Sequence, residues 1–316
     1  MLFYSNIFSL MDWTKNGIDP CSGMYLRHIP VASVSGNKLQ GPEISLALRF
    51  NQFNALNYGF GVGWEFNLSH IDAEVDENNN AIQTLVLSNG ARYQLIEDQD
   101  GIATLKYKRT LTFDFKQISA NPDKYQLVGK EGIIETIENG RTTRVELPNG
   151  LGLNLAWNSD SSFVISDDGG VNLVTTTIAT TATGKTHTVS VVDSLLDFTC
   201  DSSGVEQLTG VAIRSGPSLC SMKYAIHNDS YLEIIKWDAW VNYVQQDIIS
   251  YKSLPKPSGL KQDVRAVDFI DSRQSAEHAV HFAYEYGKNN YLGGLTARHG
   301  FLMPTIWNPD RMTIRI

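Results

Sequence analysis

The chain has 316 residues, 42% hydrophobic and 19% charged, with a formal net charge of −8 at pH 7. That is enough chain to bury a core as one large unit or two domains, and the mixture argues against disorder. The acidic balance argues against a nucleic-acid or anionic-membrane partner, since neither attracts an acidic surface.

The first dozen residues are one of two stretches in which a helix can be argued. They lack the basic start and small-residue cleavage site of a signal peptide. No stretch approaches the roughly 20 apolar residues that span a bilayer as a helix. Localisation stays open between secreted or cell-surface, by a route without an N-terminal signal peptide, and cytoplasmic before export. Further on, Ile44, Leu46, Leu48 and Phe50 fall on one side of a strand. Asn57–Trp64 (NYGFGVGW) is the most informative segment. Gly59, Gly61 and Gly63 alternate with Tyr58, Phe60 and Val62, which predicts an extended strand that bends or packs tightly against another backbone. A dinucleotide fingerprint is excluded, because the third glycine follows the second by two residues and Trp64–Leu68 alternates again where a helix should open.

Alternation continues through Leu105, Tyr107 and Arg109, then Leu111, Phe113 and Phe115. The basic run Lys106–Arg109 reads as a solvated edge. Val145 and Leu147 precede a turn, and Leu151, Leu153, Leu155 and Trp157 follow it. Val174–Thr183, rich in threonine, suits a strand or a flexible connection. Tyr231–Gln245, the second stretch arguable as helix, has Trp237, Trp240, Tyr243 and Val244 at mixed spacing and is read as strand. Pro255–Gly259 is a linker candidate, and Val280, Phe282, Tyr284 and Tyr286 form a last clear strand. Asn89-Gly90, Asp100-Gly101, Asn139-Gly140, Asn149-Gly150 and Asp168-Gly169 supply the positive φ angles of tight hairpins. The expected fold is all-β, with antiparallel hairpins or a meander forming one large twisted or curled sheet. The expected divisions are a β-rich region over 1–254, a linker over 255–262, a strand segment over 263–295 and a divergent tail over 296–316.

Candidate chemistry is sparse. His278 and His281 form the one tight histidine cluster, but three residues apart on a strand they face opposite ways. Asp72–Asn80 alternates oxygen ligands yet lacks the glycine and closing glutamate of an EF-hand loop, so a polar hairpin loop is expected. Asp167 and Asp168 are paired carboxylates beside Gly169-Gly170, where turn chemistry outweighs acid–base work. Cys21, Cys200 and Cys220 are too few, and odd in number, for a disulfide framework. A Cys200–Cys220 pair stays open, and buried or semi-buried thiols are expected. No G-x-S-x-G elbow is present, and pairing Cys200 or Cys220 with a distant histidine as a nucleophile has no local support. The six tryptophans, Trp13, Trp64, Trp157, Trp237, Trp240 and Trp307, are scattered and expected to serve the core. The sequence thus predicts no catalytic, cofactor-binding or metal-binding residue.

Several blocks carry a family likeness. NGIDPCSGMY (16–25), GNKLQGPEISLALRFN (36–51) and GFGVGWEFNLSHID (59–72) occur in an order that resembles the N-terminal region of RHS/YD-repeat proteins, large bacterial toxin-delivery and surface proteins. LSNGARYQL (87–95), LTFDF (111–115), YQLVGKEGIIETI (125–137), LPNGLGLNLAW (147–157) and FAYEYGKNNYLGG (282–294) follow in the same order. Cys21-Ser22 stands where the family usually has Arg-Thr, and no repeat signature is visible. Residues 298–316 look unrelated, so the resemblance implies a truncated or split member.

It also implies a non-enzymatic scaffold whose hairpins form or plug a hollow shell around a toxin. The implied partner is a downstream shell or toxin segment, encoded in the same operon or by an interrupted gene. The family's self-cleaving aspartate lies downstream, so no catalytic role carries over. A surface carbohydrate-binding module using exposed Trp or Tyr is the alternative expectation, and a cryptic hydrolase with a deep polar pocket is a third.

Overall fold

The structure is a computed structural model. It describes residues 16–18, 25–51, 54, 56–75, 81–97, 103–106, 112–191, 194–202, 205–214, 220–226, 232–240, 243–254, 264–272, 279–287, 301–308 and 311–315. Apart from one 3-10 turn at Asn37–Leu39, every regular element among them is a β-strand.

The first four strands, β1 (Asn16–Ile18), β2 (Tyr25–Ser35), β3 (Glu43–Asn51) and β4 (Trp64–Phe66), form an antiparallel sheet in that order. As expected, Ile44, Leu46, Leu48 and Phe50 on β3 are all buried; Glu43 before them and Ser45 between them are exposed, while Ala47 is buried too. Where β4 ends, Asn67 takes over the pairing. Its Oδ1 accepts from Ala47 N (2.7 Å) and its Nδ2 donates to Ser45 O (2.7 Å). The edge of β3 is thereby satisfied by a side chain, and the chain can leave this sheet. The expectation of one large sheet is corrected here: the leading strands stand in a sheet of their own.

The rest is a meander. Strands β5 (His70–Val75), β6 (Ala81–Val86), β7 (Arg92–Glu97) and β8 (Ala103–Leu105) pair consecutively and antiparallel. A second consecutive run begins with β9 (Phe113–Ala120), β10 (Asp123–Gly129), β11 (Ile134–Glu138), β12 (Arg141–Glu146), β13 (Gly152–Ser159) and β14 (Ser162–Asp167). It continues through β15 (Asn172–Thr180), β16 (Gly184–Val191), β17 (Ser194–Asp201), β18 (Gln207–Arg214), β19 (Cys220–Ile226) and β20 (Leu232–Trp240). β21 (Tyr243–Leu254), β22 (Val264–Ser272), β23 (Ala279–Gly287), β24 (Phe301–Asn308) and β25 (Arg311–Arg315) complete it. One residue pair, Arg141 with His70, bridges β12 back to β5.

Residues 231–245 are therefore strand where described, as expected. β21 pairs with β22 directly across the linker candidate, whose residues 255–262 lie outside the described residues, as do the first dozen and Tyr107–Leu111.

Glycine turns set the hairpins. Asn139 and Gly140 both have positive φ (51° and 79°), the two-residue type I′ loop that matches strand twist. Elsewhere a three-residue loop recurs: Gly150 N donates to Leu147 O (2.9 Å) and Leu147 N to Leu151 O (2.9 Å), with Gly150 at φ 85°. The loops carrying Gly90, Gly132 and Gly170 repeat this pattern. Asp168-Gly169 thus marks a real turn, but the positive φ falls one residue later, on Gly170. Asp100-Gly101 lies outside the described residues.

Two apolar cores result. The larger joins β2–β4 to β12–β18, with an aromatic ladder at its centre. Phe60 meets Phe66 edge-on at 5.1 Å, and Phe66 meets Phe163 at 5.1 Å. Such contacts add to the burial of large rings. The smaller core joins β6–β8 to β9–β11 through Leu85, Tyr93, Phe113, Tyr125 and Ile137.

Candidate functional site

The glycine segment lies where the two sheets meet. The expectation of a continuous strand over Asn57–Trp64 is corrected: only Trp64 is in a strand, and Gly59, Gly61 and Gly63 have φ of 95°, 93° and 87°. Period-two spacing here reflects alternating left-handed backbone, which only glycine adopts freely. The expected close approach is present. A Cβ on Gly61 would lie 2.8 Å from both Gln207 Cα and Glu206 O, and one on Gly59 would lie 2.8 Å from Ser161 Cβ. Asn57 organises the loop, its Oδ1 accepting from Gly59 N (2.7 Å) and Gly61 N (3.1 Å). The loop then grips the connection before β18, Val62 N donating to Glu206 O (3.3 Å) and Asn57 Nδ2 to Glu206 Oε2 (2.9 Å).

Beside it lies a buried polar cluster around Glu65, His70 and Asp72. His70 Nδ1 is 2.8 Å from Leu68 O, a carbonyl that can only accept, so that nitrogen carries a proton and donates. Nε2 faces Asp72 Oδ1 at 3.3 Å and Glu65 Oε2 at 3.6 Å. Glu65 also accepts from Arg49 Nε (2.8 Å) and Asn54 Nδ2 (2.9 Å). Asp72 accepts from the Tyr58 hydroxyl (2.5 Å) and Arg92 (3.0 Å). Burial by itself would raise the Asp72 carboxyl, but hydrogen bonds and charge from His70, Tyr58 and Arg92 outweigh it and hold the group below its ordinary range. Burial, then the Asp72 charge, pushes the Tyr58 hydroxyl far up, so it stays a donor.

The cavity at this cluster is only about 20 Å³, room for about one water. The cluster acts as a polar tie between β4, β5 and β7. Arg49 extends it, donating to Ser88 O (3.0 Å) in the β6–β7 turn. Asp72, which opened the calcium candidate, is committed to this tie, and Asp76–Asn80 lie outside the described residues.

Asp167 and Asp168 do turn work, as expected. Asp167 Oδ2 accepts from Asn37 N (3.0 Å) and Oδ1 from Val171 N (2.9 Å). Asp168 accepts from Arg144 Nη1 (2.8 Å) and Gly152 N (2.7 Å). Both carboxyls sit below their ordinary range, Asp167 through backbone N–H donors and Asp168 chiefly through Arg144. The Asn37 contact also anchors an unusual turn, since Asn37, Lys38 and Leu39 all have positive φ (55°, 57° and 67°).

A third cluster was not legible as a motif. His187 on β16, Cys200 on β17 and Glu206 before β18 place one ligand atom each within 4.8 Å of one another. Strand register explains it: His187 pairs with Phe198, so Cys200, two residues on, shares that face. His187 is fully buried and neither ring nitrogen makes a well-formed hydrogen bond, the Gly59 backbone being its one weak polar neighbour. A buried polar group left unmet costs about 1–3 kcal/mol. Burial lowers the His187 pKa and keeps the ring neutral; it pushes the Cys200 thiol up to about 12. Cys200 is a free thiol, and Lys185 Nζ lies 3.1 Å from Glu206 Oε1. Hairpin register, had it been worked out from the turns, was the one signal that could have found this group.

His278 lies outside the described residues, as does Cys21. His281 sits on β23 opposite Phe269 and Trp307, and Cys220 on β19 opposite Ile213. Of the tryptophans, Trp64 is fully buried, and half-buried Trp157 donates Nε1 to Thr142 O (2.7 Å). Among the aromatic side chains whose burial is described, all of which lie between Tyr25 and Tyr251, none is exposed. A cleft of about 460 Å³ between β5, β6 and the β9–β10 and β11–β12 turns has Asp123 and Tyr125 as its titratable lining groups.

Comparison with models of known protein families and with curated proteins found no match. The RHS resemblance therefore rests on its motifs alone.

Proposed function

We propose that this chain is a non-enzymatic structural scaffold, the leading portion of an RHS-type protein whose hairpins make wall that forms or plugs a toxin-enclosing shell. The observation that carries this reading is the consecutive antiparallel pairing from β9 to β25, a ribbon built by adding one hairpin to the next. A ribbon of this kind gains stability from neighbours that cover its faces and edges, which makes a second β-shell segment the fitting partner. The collinear motif blocks supply the family. The described titratable groups support the same role, because Asp72, Asp167 and Asp168 are all spent on ties and turns.

The test is co-elution of the full chain with a separately produced RHS-repeat shell segment, read by size-exclusion chromatography and native mass spectrometry. A stoichiometric complex is the expected result. A compact monomer that binds no such segment would overturn the proposal.

A further inference from the structure

We propose that His187, Cys200 and Glu206 form a binding site for a zinc-class divalent cation that clamps the glycine loop onto β16–β18. The three side chains converge from β16, β17 and the connection before β18, with ligand atoms all within 4.8 Å of one another. An N, S and O donor set suits a borderline-soft ion better than magnesium or calcium. The independent sign is His187, wholly buried with neither nitrogen in a well-formed hydrogen bond. A neutral imidazole presents the lone pair a metal needs.

Cys200 lies beneath the loop, its Sγ 3.9 Å from Gly59 O, so a backbone oxygen is at hand as a further donor. Asn57 already binds Glu206 from the loop side. On binding, the Cys200 S–H bond breaks, its proton passes to solvent and the thiolate bonds the metal. Glu206 exchanges the ammonium of Lys185 for the cation. Lys185 is partly exposed and can turn outward. No oxidation or reduction is involved. Metal binding of this kind is linked to folding, so the loop and the three strands become one unit.

The full chain, stripped of metal, is titrated with Zn(II) alone and in parallel with Co(II). The expected result is one bound equivalent with a thiolate-to-cobalt charge-transfer band. X-ray absorption of the Zn(II) form should show one sulfur at about 2.3 Å and nitrogen or oxygen at about 2.0 Å. Cys200→Ser should abolish the band and weaken Zn(II) by at least about 100-fold, more than loss of an outer partner costs. Glu206→Gln should weaken binding and leave the band. Cys21 and Cys220 remain in every variant, so a band that survives Cys200→Ser overturns the proposal. Absence of stoichiometric binding, or a first shell without sulfur or with more than one, also overturns it. The absorption measurement uses the unmutated chain and decides even if Cys200→Ser fails to fold.

Discussion

Gly61→Ala separates backbone strain from packing when set beside Gly150→Ala. Both glycines have strongly positive φ, 93° and 85°, and an alanine there costs about 1–2 kcal/mol for conformation alone. Around Gly150 nothing lies within 4 Å of an added Cβ, so that cost is the whole effect. At Gly61 the Cβ meets Gln207 Cα and Glu206 O at 2.8 Å and Leu208 N at 2.9 Å. These are backbone atoms, with no rotamer to yield, and overpacking of this sort adds about 1–3 kcal/mol. Gly61→Ala should therefore lose about 2–5 kcal/mol and Gly150→Ala about 1–2 kcal/mol. Urea unfolding at constant m reads the difference as a shift in midpoint, and hydrogen exchange at Val62 N–H, bonded to Glu206 O, reports the loop directly. Equal losses in the two variants would refute the claim that the loop is seated on β18.

Other outcomes follow from the same packing. Phe66→Ala, which removes the middle ring of the aromatic ladder, should cost about 3–5 kcal/mol in the same urea assay. Asp72→Asn should cost about 3–5 kcal/mol at pH 7, since it strands buried partners. Because the folded carboxyl lies below its ordinary range, its contribution is present above that range and lost as pH falls through the folded value. The gap between variant and parent should accordingly close on acidification, as read by unfolding midpoints from pH 7 downward. In a Cys21→Ser, Cys220→Ser background, Cys200 should resist alkylation at neutral pH until urea unfolds the chain, since burial both shields it and raises its thiol to about 12.

The alternation of Ile44, Leu46, Leu48 and Phe50, together with Asn139-Gly140 and Asn149-Gly150, was enough to read strands, tight turns and an all-β meander. Such features are local: side-chain period and φ preference are properties of neighbouring residues. The same locality misled at Asn57–Trp64, where alternating glycines mimic a strand but adopt positive φ, because the loop is shaped by the β18 backbone across from Gly61. Tertiary structure alone decided that Asn67 ends the first sheet and that Asp72 faces Arg92. It also brought His187, Cys200 and Glu206 together. Those meetings depend on which strands pair and in what register, a sum of many weak contacts between distant segments that no short window of sequence contains.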